Sequence, residues 1–192
     1  NSYRKKIDKT IFSSVVPNVY KNVKESIKKK LRVEVKELKQ LNLKKILKIE
    51  VNTKQVGSDR LANAISVINN KDNFIILDFG TATTFDVVLK NKYKGGIIAP
   101  GVNLSLKTLV EKAKLIPNTK LTKIKNIIGK NTQNAVRSGF YWGYQGLIEN
   151  MINLIEKKYK KNFKIIFTGG LSHLFKDTIK KKIKVDRDLT IK

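Results

Sequence analysis

Between Phe74 and Ala99 three apolar runs are separated by two short polar turns, and no other stretch of the 192-residue chain restricts the fold as tightly. Phe74 to Leu77 reads as a strand, Asp78-Phe79-Gly80-Thr81 as a turn, and Thr84 to Leu89 as a second strand. After a turn at Lys90 to Lys92, Tyr93 to Ala99 reads as a third. Strands joined this closely pair with their neighbours, which predicts an antiparallel meander. Downstream, helices are expected at about Leu104 to Ala113 and Thr132 to Tyr159, then a strand at Phe163 to Phe167 and a glycine turn at Gly169-Gly170. A helix near Ser172 to Lys180 and a strand around Val185 to Ile191 follow. Upstream, Thr10 to Val16 is β-rich and closed by Pro17, while Val19, Val23, Ile27 and Leu31 have helical spacing. Arg32 to Val51 has room for one or two edge strands. Gly57 to Ile68 reads as a helix entered through Ser58 and Asp59, with Leu61, Ala64, Ile65 and Ile68 on one face. The expected class is α/β.

Several chemistries are excluded early. The chain has no cysteine, so disulfides, thiolate metal sites and cysteine nucleophiles are absent, which fits a reducing cytoplasm. His173 is the only histidine, and beside Leu171 and Leu174 it reads as a partly exposed helix residue. The most apolar stretch, Phe74 to Leu89, is interrupted by Asp78 and Asp86, so no membrane span is expected. Asn-Ser-Tyr-Arg-Lys-Lys at the start leads into no apolar signal core. The net charge of +26 raises the question of a nucleic-acid partner. Arginine, the residue of base readout, occurs only at positions 4, 32, 60, 137 and 187, and the lysine clusters at 28–30 and 180–182 carry no interleaved aromatics. Lysine spread through every segment together with Ile and Asn reads as surface bias, and no specific nucleic-acid partner is expected.

The turn at Asp78 carries chemistry. Glycine in a tight hairpin lets backbone N–H groups approach a phosphate, flanking threonine hydroxyls add donors, and a carboxylate at the strand end can hold a cation. A plain hairpin with polar turn residues is the alternative, and no Gly-Lys-Ser/Thr follows, so this is not a Walker loop. Five pieces then occur in order. They are Gly57-Ser58-Asp59-Arg60; Asp78-x-Gly80-Thr81-Ala82-x-Thr84-x-Asp86; Gly95-Gly96-Ile97-Ile98-Ala99-Pro100-Gly101; Asn131-Thr132 with Ser138-Gly139; and Thr168-Gly169-Gly170. Together they resemble the type III pantothenate kinase signature, and Ser13-Ser14-Val15-Val16-Pro17 resembles the family's run in its first lobe.

The resemblance implies an actin-like/sugar-kinase (ribonuclease H-like) ATPase fold of two lobes, divided here into residues 1–68 and 69–192, with the first lobe incomplete at its N-terminus. It implies ATP-dependent phosphorylation of pantothenate to 4'-phosphopantothenate, the first step of coenzyme A synthesis. Gly57, Ser58, Asp59 and Arg60 then match the pantothenate loop, with Asp59 as general base and Arg60 as substrate clamp. Without the resemblance, Ser58 or Asp59 reads as a helix cap and Arg60 as its ion-pair partner. Asp78 matches the ligand of a monovalent cation, potassium or ammonium. Gly80 and Thr81 match an ATP-phosphate contact and Gly169 and Gly170 the turn beside the adenosine, with magnesium accompanying ATP. Gly95, Gly96, Pro100 and Gly101 fall in the substrate and dimer region. Thr132 matches a substrate contact supplied across the interface of a homodimer, and the apolar residues after Asn131 fit either the core of the second lobe or a partner chain.

Some family features are missing. No Asp-x-Gly-Asn-Thr, the family's first phosphate loop, occurs between Asn1 and Asn52, so this stretch of chain is expected to be a poor catalyst on its own. Thr53 stands where a proline commonly precedes the Gly-x-Asp-Arg loop, no aromatic residue lies between Leu31 and Gly57, and the chain stops at Lys192 where relatives usually continue. Two rivals are a non-catalytic accessory relative, expected to have lost Asp59, Arg60, Asp78 or Thr81, and a basic nucleic-acid module.

Overall fold

The computed structural model describes residues 7–14 and 17–192. Its main element is a six-stranded sheet built around the expected meander: β4 (Asn73–Phe79), β5 (Ala82–Leu89) and β6 (Lys92–Pro100), antiparallel in sequence. The strands run slightly longer than their apolar cores suggested. Two smaller elements, β1 (Lys9–Phe12) and β2 (Glu34–Glu37), pair in parallel across α1 (Pro17–Leu31), and β3 (Lys48–Ile49) adds in parallel to β6. On the other side, β7 (Lys164–Gly169) pairs in parallel with β4, and β8 (Ile183–Val185) with β7. The order is β3-β6-β5-β4-β7-β8. Of the β-rich run expected at Thr10 to Val16, Val15 and Val16 lie outside the described residues.

Strand alternation divides the core in two. Ile75, Leu77, Phe79, Phe85 and Val87 point to one face, where Tyr141, Ile148, Ile152 and Ile155 of α4 (Thr132–Tyr159) cover them. Phe74, Ile76 and Val88 point to the other, under Leu61, Ala64 and Val67 of α2 (Ser58–Val67). Covered on both faces, β4 reads as a continuous apolar run until Asp78. Asp78 and Asp86 lie on the α2 face, because Asp78 pairs with Thr84 and Asp86 with Ile76 across the β4/β5 ladder.

Helix α4 has the limits expected from sequence: the Asn131 side chain accepts from Asn134 N at 2.9 Å, and Lys160 closes the other end at φ 51°. Helix α3 (Val102–Lys112) starts two residues early.

Three expectations are corrected. Helix α2 is capped by Gly57 without a side-chain bond, and the Ser58 hydroxyl instead donates to the Glu37 carboxylate, with Ser14 O 3.4 Å away, tying α2 to the end of β2. Helix α5 spans only Ser172–Phe175, because Thr178 turns back and donates through both N and Oγ1 to Phe175 O. The last strand ends at Val185: after Asp186 N donates to Phe167 O, the chain leaves the sheet in a short 3-10 turn that buries Leu189 beneath α2. Ser66 Oγ donating to Leu189 O at 2.7 Å fastens it there. His173 is exposed on α5. Among the described residues no helix is long and apolar enough to cross a membrane.

Candidate active site

The first turn of α2 delivers Asp59 and Arg60 to the sheet face that carries Asp78 and Asp86. Asp59 is half-buried and its Oδ1 accepts from Arg60 N at 2.8 Å. The Arg60 guanidinium does not pair with Asp59, as helix-local reasoning allowed. It reaches Asp86, with Nε 2.8 Å and Nη2 2.7 Å from Oδ1. Tyr93 OH donates to the same oxygen at 2.6 Å. One turn further along α2, Asn63 Nδ2 donates to Asp78 Oδ2 at 3.2 Å, and Thr190 Oγ1 donates to Asn63 Oδ1 at 2.7 Å.

Three carboxylates and one guanidinium share this face, and burial sets their protonation. Burial pushes the Asp78 carboxyl above its ordinary range, against the Asn63 amide and with help from the Asp59 charge. Burial likewise raises Asp86, opposed by Arg60 and Tyr93. Burial opposes the Arg60 charge too, but the Asp86 carboxylate outweighs it and holds the guanidinium above its usual value. The Tyr93 phenol is raised by burial and by Asp86, so it stays a donor.

The β4/β5 turn and the turn after β7 meet at the same end of the sheet. Gly80, Thr81 and Gly170 line a cleft of about 470 Å³ with Phe79, Asn103, Leu104, Lys107 and Leu171. Gly169 has φ +82°, and a Cβ there would lie 2.6 Å from Asp78 Oδ1. Only glycine passes this close to the carboxylate in that conformation. A larger cleft of about 590 Å³, beside Phe74, Lys164 and Leu189, contains none of the candidate residues.

Thr132 is the outlier. It is exposed in the first turn of α4, and no hydrogen bond joins it to the Asp59–Asp86 group among the described residues. Sequence reasoning quoted Asp86 within a motif but gave it no role, and it passed over Tyr93 and Asn63. The available signal was a lone charge in the apolar strand Thr84 to Leu89, on the same strand face as Thr84. No group of three or more His, Cys, Asp or Glu side chains able to hold a metal ion occurs among the described residues.

Comparison with known proteins gives the family. The family profile described as type III pantothenate kinase matches residues 1–154. The chain is 60% identical over 192 residues to the type III pantothenate kinase of Pelagibacter ubique (strain HTCC1062), covering all of this chain and 77% of that one. It is 41% identical over 189 residues to that of Sulfurihydrogenibium sp. (strain YO3AOP1), covering 97% and 75%. A crystal structure of a conserved Baf family protein from Campylobacter jejuni superposes with a TM-score of 0.64 at 20% identity, covering 99% of this chain and 82% of that one, which shows a shared fold. With its Gly-x-Asp-Arg helix start, its Asp-x-Gly-Thr turn and a match along most of its length, the chain belongs to the type III pantothenate kinase family.

Proposed function

We infer that the protein transfers the γ-phosphoryl group of ATP to the primary hydroxyl of pantothenate, giving 4'-phosphopantothenate and ADP. Family membership supports the activity, and one observation carries the residue assignment: Asp59 and Arg60, on the first turn of α2, stand on the same sheet face as Asp78, next to the Gly80-Thr81 turn.

Asp59 accepts the hydroxyl proton as the new O–P bond forms and the bond to the ADP oxygen breaks; a carboxylate with one oxygen free of backbone bonds suits that task. Arg60 binds the pantothenate carboxylate, and Gly57 and Ser58 shape the loop beside it. Gly80 and Thr81 donate to the ATP phosphates, while Gly169 and Gly170 let the adenosine approach the backbone. Asp78 fits a monovalent cation: it is half-buried, its Oδ2 is engaged by Asn63, and burial makes its lone charge costly without a counter-ion. Magnesium with ATP and potassium or ammonium at Asp78 supply charge neutralisation for the triphosphate.

Residues 1–68 would then form the acceptor-side lobe and residues 69–192 the nucleotide-side lobe of an actin-like/sugar-kinase fold acting in the cytoplasm. The active unit is a homodimer in which Thr132 serves the neighbouring site. Exposed Gly139, Gly143 and Gly146 on α4, with no atom within 4 Å of where a Cβ would stand, support close approach of a second chain.

The test is direct. Full-length protein with ATP, magnesium, potassium and pantothenate is expected to release ADP and a product heavier by one phosphoryl group. Nucleotide turnover without phosphorylation of pantothenate refutes the reading.

A further inference from the structure

Asp86 is fully buried in the middle of the sheet, opposite Ile76 of β4 and Gly96 of β6. Packing alone does not explain a charge there, since apolar residues of similar volume commonly serve as well or better at such positions. Its partners are specific. Oδ1 accepts from Arg60 Nε and the Tyr93 phenol and has Arg60 Nη2 2.7 Å away in ion-pair contact, while Oδ2 and Nη2 are buried without a hydrogen-bond partner.

Tyr93 and Gly96 are three residues apart and would face opposite sides of a regular strand. A bulge prevents this. The β5/β6 register shifts between Asp86 and Val88, so Asp86 pairs with Gly96 while Val88 pairs with Tyr93, and both β6 residues face α2. The positive φ of Gly95, +93°, belongs to this bulge. At Gly96 a Cβ would lie 1.8 Å from Phe85 O and 2.6 Å from Arg60 Nη2, so any side chain there evicts the guanidinium. Arg60 is thereby held by Nε and Nη2 with its side chain 13% exposed, and no hydrogen bond engages Nη1 among the described residues. Nη1 is the end left for a ligand, since Nη2 is buried against Asp86.

We propose that Asp86, held by Tyr93, is a positioning residue that fixes the Arg60 guanidinium so that its unengaged nitrogen meets the carboxylate of the acceptor substrate. The inference rests on the reading of Arg60 as the pantothenate clamp. A long flexible side chain ordered before the substrate arrives loses less freedom on binding, which appears as affinity for the acid group.

The experiment measures KM for pantothenate, for its carboxamide analogue and for ATP in full-length Asp86→Asn, Tyr93→Phe and Arg60→Gln. Asp86→Asn is expected to raise KM for pantothenate about 10- to 100-fold, the usual cost of loosening a supporting residue. KM for ATP and for the carboxamide is expected to stay at the parent value. Tyr93→Phe gives the same pattern at smaller size, and it decides the matter alone if Asp86→Asn does not fold. Equal effects on acid and amide in these two variants, or a fall in melting temperature with no selective change in KM, overturns the positioning role. If Arg60→Gln also treats acid and amide alike, the clamp reading fails with it; if Arg60→Gln discriminates and the other two do not, only the positioning role fails.

Discussion

Asp59 and Asp78 sit on one sheet face but ask for opposite experiments. In the proposed role of hydroxyl-proton acceptor Asp59 would contribute in the transition state, so Asp59→Asn is expected to lower turnover by roughly 10²- to 10⁴-fold. Its melting temperature is expected to stay near the parent value, because Asp59 is half-buried and its only bond in the described structure is to the neighbouring Arg60 N; a variant that loses activity only by unfolding contradicts the assignment. For Asp78 the readout is stability against pH. Burial holds its carboxyl above the ordinary range, so the native chain keeps this proton to a higher pH than the unfolded chain does. That stabilisation is complete below the unfolded value, about pH 4, and is lost as pH rises through the folded one. In potassium-free buffer, Asp78→Asn is expected to remove this loss, and a stability curve unchanged in shape would show that the group titrates normally. Catalysis is expected to require potassium or ammonium, and Asp78→Asn to blunt that requirement. Equal rates in sodium with a silent Asp78→Asn would reduce Asp78 to a turn residue.

Helix α4 is the element whose composition the single chain leaves unexplained. Its inner face packs Tyr141, Ile148, Ile152 and Ile155 on the sheet, yet its outer side exposes Gly139, Gly143, Gly146 and Leu154. A glycine in a helix interior costs about 1 kcal/mol relative to alanine, and three of them on a free surface would bring no return. Gly143→Leu adds a side chain where a Cβ would meet nothing within 4 Å outside the helix's own backbone. It is therefore expected to leave the monomer as stable or more so while weakening self-association in sedimentation, and an unchanged dimer would remove this face from the contact. The same helix begins with Thr132, which allows a complementation test. Full-length Asp59→Asn mixed with full-length Thr132→Ala is expected to recover parent-like pantothenate affinity, because a shared site places both lesions in one pocket of each heterodimer and leaves the other whole. A mixture that behaves as the sum of its parts despite subunit exchange argues for sites built within one chain.

Across the molecule, local signals were legible and distant partnerships were not. The meander and the limits of α4 could be read because turns and caps are written in adjacent residues such as Gly80, Lys90 and Asn131. So could the grouping of Asp59, Arg60 and Asp78, through motif order. The pairing of Arg60 with Asp86 spans 26 residues and depends on which sheet face α2 covers, so neighbouring Asp59 looked the better partner. Leu189 and Ile191 continue the alternation of Ile183 and Val185, which is why a departure from the sheet read as more strand. The charge of +26 is distributed as exposed lysine, with pairs such as Lys123–Asp177 at 2.8 Å and Lys181–Glu156 at 2.6 Å on the surface. Binding to random duplex is accordingly expected to be weak and unselective; tight binding with a steep, reproducible salt slope would reopen a nucleic-acid role. The bulge in β6 was the least visible feature, since Lys94-Gly95-Gly96 reads as an ordinary glycine-rich stretch. Its consequence is genetic. Loss of a single codon between Tyr93 and Gly96 would leave them two positions apart in a regular hairpin, still opposite Val88 and Asp86 and still on the α2 face. The descendant would keep Tyr93 and Gly96 on the side of Arg60, so a relative can lose the bulge by one deletion and retain the phenol beside Asp86.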